Sequence, residues 1–239
     1  MRFLASHLFI SFLFALVVIL IVFFIWYPYP LAKATGVTHI FLILIFVDII
    51  MGPLLCFVVY NESKKSLKFD LGAIIFLQLI ALIYGMNFIA AGRPVWIAYN
   101  VDQFELIRNN ELVINSKEKG TTLFQATWFK PKYVGVQFST DQKIKSDDMF
   151  DEIFNGISIA QKPARYVPFT QVSKMINEKA QELSLLNKYN DPELVWKVIE
   201  KNPSATAFVP LKANAIDMTV LINKEKGEVV KIVDLRPWK

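Results

Sequence analysis

The sequence predicts a membrane protein with three transmembrane α-helices followed by a C-terminal α+β soluble domain with a mainly antiparallel sheet. Three observations carry this. Long apolar runs fill the first 91 of 239 residues. Each run is long enough to cross a bilayer core, which takes about 20 residues of helix. The rest of the chain mixes charged and apolar residues as a water-soluble domain does, and alternates β-rich segments with stretches of helical spacing.

The spans are placed at about 8–27, 40–60 and 71–91. Leu8 to Tyr27 is interrupted only by Ser11. Ile40 to Tyr60 carries one charge, Asp48, and Leu71 to Ala91 carries none. A spanning segment must satisfy its backbone internally, so each is read as a helix. This divides the chain into a transmembrane domain, 1–91, and an extracytoplasmic domain, 92–239. Ala32-Lys33-Ala34 has the form of a leader-peptidase site, and a cleaved leader is the alternative for the first run. That run exceeds a usual leader core, and Pro28 and Pro30 intervene, so the span is preferred.

Within the second part, Val95 to Val101 is rich in β-formers and pairs with Phe104 to Ile107 across a tight turn. Val134 to Phe138 reads as a short strand. Asp147 to Asn155 has helical spacing of Met149, Phe150, Ile153 and Phe154, with Gly156 as its stop. Thr170 to Leu186 reads as the longest helix of the domain, capped by Thr170. Asp191-Pro192-Glu193 opens a helix through Glu200. Met218 to Ile222 and Val229 to Val233 form a hairpin around a turn ending at Gly227.

Orientation follows from the loops. Lys64, Lys65 and Lys68 sit between the second and third runs, whereas the first loop holds only Lys33. The basic side stays in the cytoplasm, so the N-terminus is inside and the C-terminal domain outside. Trp26, Tyr27 and Tyr29, with Trp96 and Tyr99, read as aromatic anchors at the outer interface.

Asp48 is the one acid deep in an apolar run, and such a group is a functional candidate by default. Gly52 and Pro53 follow it, and Pro53 removes a helical hydrogen bond. Counting equal distances from the second loop puts Tyr84 level with Asp48 and Gln78 level with Pro53. Asp48, Gly52, Pro53, Gln78 and Tyr84 are therefore the candidate residues, as a lock of the helix bundle or as a contact for a partner helix. Ala81 and Gly85 allow close helix approach.

Composition excludes much else. A net charge of +5 with scattered basic residues does not mark a nucleic-acid surface. The two histidines, His7 and His39, both lie near the ends of apolar runs, and the one cysteine, Cys56, lies inside the second. No nucleophile–histidine pair, phosphate loop or Cys/His metal set can be assembled, so neither catalytic residues nor a cofactor are expected. The acids Asp147, Asp148, Asp151 and Glu152 read as a solvated face at a helix start.

Several segments together resemble the type IV pilin accessory protein family, of the TfpX/TfpZ type. They are Ser6-His7-Leu8, Trp26-Tyr27-Pro28-Tyr29-Pro30, Asp48-Ile49-Ile50-Met51-Gly52-Pro53-Leu54-Leu55, Tyr60-Asn61-Glu62-Ser63-Lys64-Lys65-Ser66-Leu67, Gln78-Leu79-Ile80-Ala81-Leu82-Ile83-Tyr84-Gly85 and Arg93-Pro94-Val95-Trp96. The terminal Gly227-Glu228-Val229-Val230 and Leu235-Arg236-Pro237-Trp238 belong to the same set. The resemblance is densest through residue 107 and weak over about 115–215. It implies a non-enzymatic protein of the bacterial inner membrane, its domain in the periplasm, that serves a cognate major type IV pilin as chaperone or assembly factor. The competing expectations are a membrane-anchored periplasmic sensor or ligand-binding protein, and a membrane enzyme. The sensor lacks room for an output module, and the enzyme lacks a catalytic set.

Overall fold

Apolar residues with no proline or charge to interrupt them leave the backbone one way to satisfy itself, and the first run is helical almost throughout. The computed structural model describes residues 2–47, 50, 52–60, 64, 66–114 and 124–238. They form two units, Met1–Ala32 with Gly36–Arg93, and Lys33–Thr35 with Pro94–Lys239.

In the helical unit, α1 (Arg2–Leu20) runs into a more widely wound turn, Ile21–Trp26, closed where Tyr27 N–H donates to the Val22 carbonyl at 2.7 Å. A short helix α2 (Leu31–Thr35) leads to α3 (Val37–Phe46). Then come α4 (Gly52–Val59) and the long α5 (Leu67–Ala91). Val18 and Val22 pack with Phe41 and Ile89, and the Phe23 and Phe41 rings meet edge to face at 4.9 Å. The end of α5 is closed by side chains. Tyr27 Oη donates to the Ile89 carbonyl and Arg93 Nη1 to that of Ala90, each at 2.7 Å. They satisfy carbonyls that the last helical turn leaves without partners.

Among the described residues one helix, Phe69–Ala91, is by itself long and apolar enough to cross a membrane, while Phe12–Trp26 and Val37–Phe46 are shorter apolar helices. Of the second expected span, α3 and α4 are described, and Pro53 lies in α4.

The second unit is built on a seven-stranded sheet: β1 (Pro94–Asn100), β2 (Gln103–Arg108), β3 (Lys132–Val136), β4 (Tyr166–Val167), β5 (Ala207–Lys212), β6 (Met218–Asn223) and β7 (Glu228–Val233), in the order β4-β3-β1-β2-β5-β6-β7. The sheet is mainly antiparallel, as expected, but it is mixed: β3 joins β1 and β5 joins β2 in parallel, while the other four pairs are antiparallel. Both parallel pairs are reached through long connections, as parallel pairing requires. The β1–β2 and β6–β7 hairpins form where the sequence places them.

The strand β1 lies inside the sheet and is buried along its whole length. Trp96 and Tyr99, expected as interface anchors, are therefore core residues, 4% and 0% exposed. The long helix expected over Thr170 to Leu186 is also corrected. It is reduced to α7 (Ser173–Lys179), because Gln181 leaves the helix to exchange backbone hydrogen bonds of 2.8 and 2.9 Å with Phe208 at the start of β5. The apolar periodicity there is real, but the sheet claims the backbone. The helices α6 (Gln142–Phe150) and α8 (Pro192–Glu200) complete the set, the latter capped by Asp191.

The turn between β1 and β2 holds Val101 at φ 57°, exposed to solvent. A β-branched residue in the left-handed region carries roughly 1–2 kcal/mol of strain. Val101→Asn, which tolerates that conformation, is expected to stabilise the protein by about 1 kcal/mol. A thermal melt that shows no gain would mean that Val101 makes compensating contacts.

Candidate partner-binding site

Of the five residues singled out in the apolar runs, the structure joins two. The backbone of Gly52 lies against Gln78 of α5. A Cβ at Gly52 would stand 1.8 Å from Gln78 Nε2 and 2.4 Å from its Cδ, so only glycine allows this approach. The contact places a side-chain amide on the bare backbone of α4, and Pro53 is the next residue of that helix. Tyr84 points elsewhere and is 74% exposed. Asp48 lies outside the described residues. Of the small pair on α5, Gly85 meets Leu44 of α3, where a Cβ would come within 2.4 Å of Leu44 Cδ1, while Ala81 is exposed.

The soluble unit holds a second feature, which the sequence reading missed at Asp148. Asp141 caps α6, its carboxylate accepting from Lys143 and Ile144 N–H at 2.8 and 3.3 Å. The helix continues in a wider turn, Asp151–Asn155, and ends at Gly156 in the left-handed conformation. The acids of this segment were expected to form a solvated face, and Asp147 and Glu152 are exposed. Asp148, however, is 1% exposed, while Phe150, Ile153 and Phe154 are 56%, 71% and 69% exposed.

Paired charge explains the buried acid. Asp148 accepts from Arg165 Nε at 2.5 Å and from Lys162 Nζ at 2.9 Å. Lys162 also donates to Asp151 at 2.6 Å, and Asp151 accepts from Asn155 Nδ2 at 2.9 Å. Two carboxylates face two cations, so the group is neutral as a set. Burial pushes the Asp148 carboxyl up, but hydrogen bonds from Arg165 and Lys162 outweigh it and hold the group below its ordinary value. Asp151 is held low chiefly by Lys162. Burial opposes the charge on Lys162, and its bonds to Asp151 and Asp148 prevail, raising it.

Once Asp148 points inward, the opposite side of α6 points out. Met149 and Ile153 form one exposed column and Phe150 and Phe154 another, the last two with ring centroids 4.5 Å apart. A helix that shows its apolar side to water is an interaction surface by ordinary criteria. Neither Lys162 nor Arg165 was singled out from the sequence. They lie 14 and 17 residues beyond Asp148 in a segment of short turns, and no periodic signal connects them to it.

Residues 1–36 match the family described as fimbrial assembly protein FimB. Three proteins of Dichelobacter nodosus are similar to this chain. The fimbrial assembly protein of serogroup E1 is 28% identical over 91% of this chain and 88% of its own length. That of serogroup I is 27% identical over 85% and 83%. That of serogroups C1 and C2 is 35% identical over 40% of this chain and 74% of its own length. The chain belongs to this family of fimbrial assembly proteins. No solved structure matches it.

The ion-pair group makes a testable demand. Asp148 has a lowered value in the folded state, so its stabilisation is present above the ordinary carboxylate range, near pH 4, and is lost as pH falls through the folded value. Asp148→Ala leaves two buried cations short of a partner and should cost about 3 kcal/mol at neutral pH. Melting temperature followed from pH 7 downward should fall more shallowly in Asp148→Asn than in the parent. Parallel curves would remove Asp148 from the account of acid stability.

Proposed function

We propose that this protein is a non-enzymatic inner-membrane accessory factor, of the TfpX/TfpZ type, that holds a cognate type IV pilin before or during its assembly into a pilus. One observation carries the reading. The similarity to fimbrial assembly proteins extends over nine-tenths of the chain and so takes in both units. A pilin subunit has an apolar helix and a globular head, and the two units offer a surface for each.

In this reading α1 with its wide terminal turn, α3 with α4, and α5 are three membrane spans. The exposure of their apolar side chains supports it. Phe12, Phe24, Leu42, Phe57, Phe76 and Phe88 are all more than half exposed, as on lipid-facing helices and not as in the core of a soluble protein. The lysine-rich loop before α5 lies in the cytoplasm and the sheet domain in the periplasm. Asp48 and the Gly52–Gln78 contact offer a polar notch to the pilin helix. The outward columns of α6 receive part of the pilin head.

The topology is checked with a reporter active only outside the cytoplasm. Fused after Lys239 it should be active, and fused after Lys65 it should be silent. The reverse would overturn the orientation.

Partner contact is checked by co-purification of pilin and by counting surface pili. Asp48→Asn and Asp48→Leu should both accumulate normally yet lose pilin, because an acid is a costly way to build a lock that asparagine could make. Phe150→Asp with Phe154→Asp changes exposed side chains, so the protein should fold as before while losing pilin. Normal piliation in all these variants, at normal protein levels, would reject the reading.

A further inference from the structure

The end of the sheet where the chain leaves the domain carries an aromatic and basic loop, and we propose that Trp128 and Phe129, with Lys130 and Lys132, engage the bilayer surface at its acidic headgroups. The inference rests on the reading that the helical unit spans a membrane.

The loop's position follows from register. In the parallel pair, Lys132 at the start of β3 lies opposite Trp96, near the start of β1. At the other foot of the loop, the Phe124 ring packs edge-on to Trp96 at 6.1 Å. Both feet therefore stand at the third residue of β1. Between them Phe129 N–H donates to Thr127 Oγ1 at 3.1 Å, which shapes the tip. Trp128 is 63% and Phe129 68% exposed, and both lysines are exposed. From Phe124 to Lys132 there is no acidic residue.

The same end of the sheet receives every passage of the chain between the two units. Pro94 begins β1 directly after Arg93, which belongs to the helical unit. The other passages flank Lys33–Thr35, which is built into the domain. The Ala34 carbonyl accepts from Ala215 and Ile216 N–H at 2.9 and 3.2 Å, in the turn between β5 and β6. Asn214 of that turn donates to Glu111, just past β2, at 2.7 Å. Lys33 pairs at 2.6 Å with Asp234, just past β7. In the membrane reading each of these passages leads from a span into the domain with no linker, and water is then an unsuitable neighbour for two large aromatic side chains. Tryptophan suits the headgroup layer and phenylalanine the acyl boundary beneath it, and the two lysines are drawn to anionic lipid.

The test uses the full-length protein reconstituted in phosphatidylcholine vesicles containing roughly one third phosphatidylglycerol. A polarity-sensitive fluorophore is placed at Phe129→Cys in a Cys56→Ala background. The control is the same label at Val101→Cys, at the opposite end of β1 and β2. The label at 129 should emit to the blue and be quenched by shallow nitroxide lipids, while that at 101 should emit as in water. Replacing Lys130 and Lys132 by Glu should abolish the quenching at 129. Independently of any label, Trp128→Phe should remove a share of the tryptophan emission that shallow brominated lipid quenches. A water-like label at 129 in a protein that floats with the vesicles overturns the inference and leaves the membrane reading intact. Shielding at 129 that develops only when pilin is added overturns it in favour of a protein contact. Failure to float overturns both.

Discussion

A carboxylate removed from water must be paired, and in the soluble unit that requirement at Asp148 decides how a whole edge of the domain is arranged. Its partners, Lys162 and Arg165, come from the turns that lead into β4. Arg165 also ties that segment to the sheet, its carbonyl accepting from Gln137 N–H at 3.1 Å just beyond β3. The charge group thus clamps α6 to the β3–β4 edge through polar contacts. A helix held by its acid has no need of its apolar side in the core, and Phe150 and Phe154 stay exposed. Buried ion pairs of this kind are poor sources of stability compared with apolar packing, but they fix one orientation against others.

The helical unit follows another logic. Its helices meet where a side chain is missing: Gln78 rests on Gly52, and Leu44 rests on Gly85. Close backbone approach of this sort holds helices together when apolar burial gives little preference between neighbours. The apolar side chains then stay on the outside, which is the reverse of the sheet domain, where β1 is buried from end to end. The two units thus dispose their apolar side chains in opposite ways, and the relatives in Dichelobacter nodosus match both.

The parts of the molecule differ in how far they could be read in advance. The β1–β2 and β6–β7 hairpins, the cap at Asp191 and the stop at Gly156 depend on residues close in sequence, and they form where those residues say. Depth counting along the apolar runs set Gln78 level with Pro53, and its amide lies on the neighbouring Gly52. It also set Tyr84 level with Asp48, which lies outside the described residues; Tyr84 is exposed on α5. Depth along a helix comes from counting residues, but the direction a side chain faces depends on which neighbour the helix packs against.

The sequence by itself determined the division into an apolar helical third and a mixed α+β remainder, because length, apolar content and local turn chemistry act over short stretches of chain. Only the tertiary structure decided what pairs with what. The parallel joins of β3 to β1 and of β5 to β2 turn Trp96 and Tyr99 from expected anchors into core. The pull of Phe208 on Gln181 ends α7 early. The cations at 162 and 165 draw Asp148 out of water. Each outcome balances local preference against a partner distant in the sequence, and periodicity carries no record of that partner.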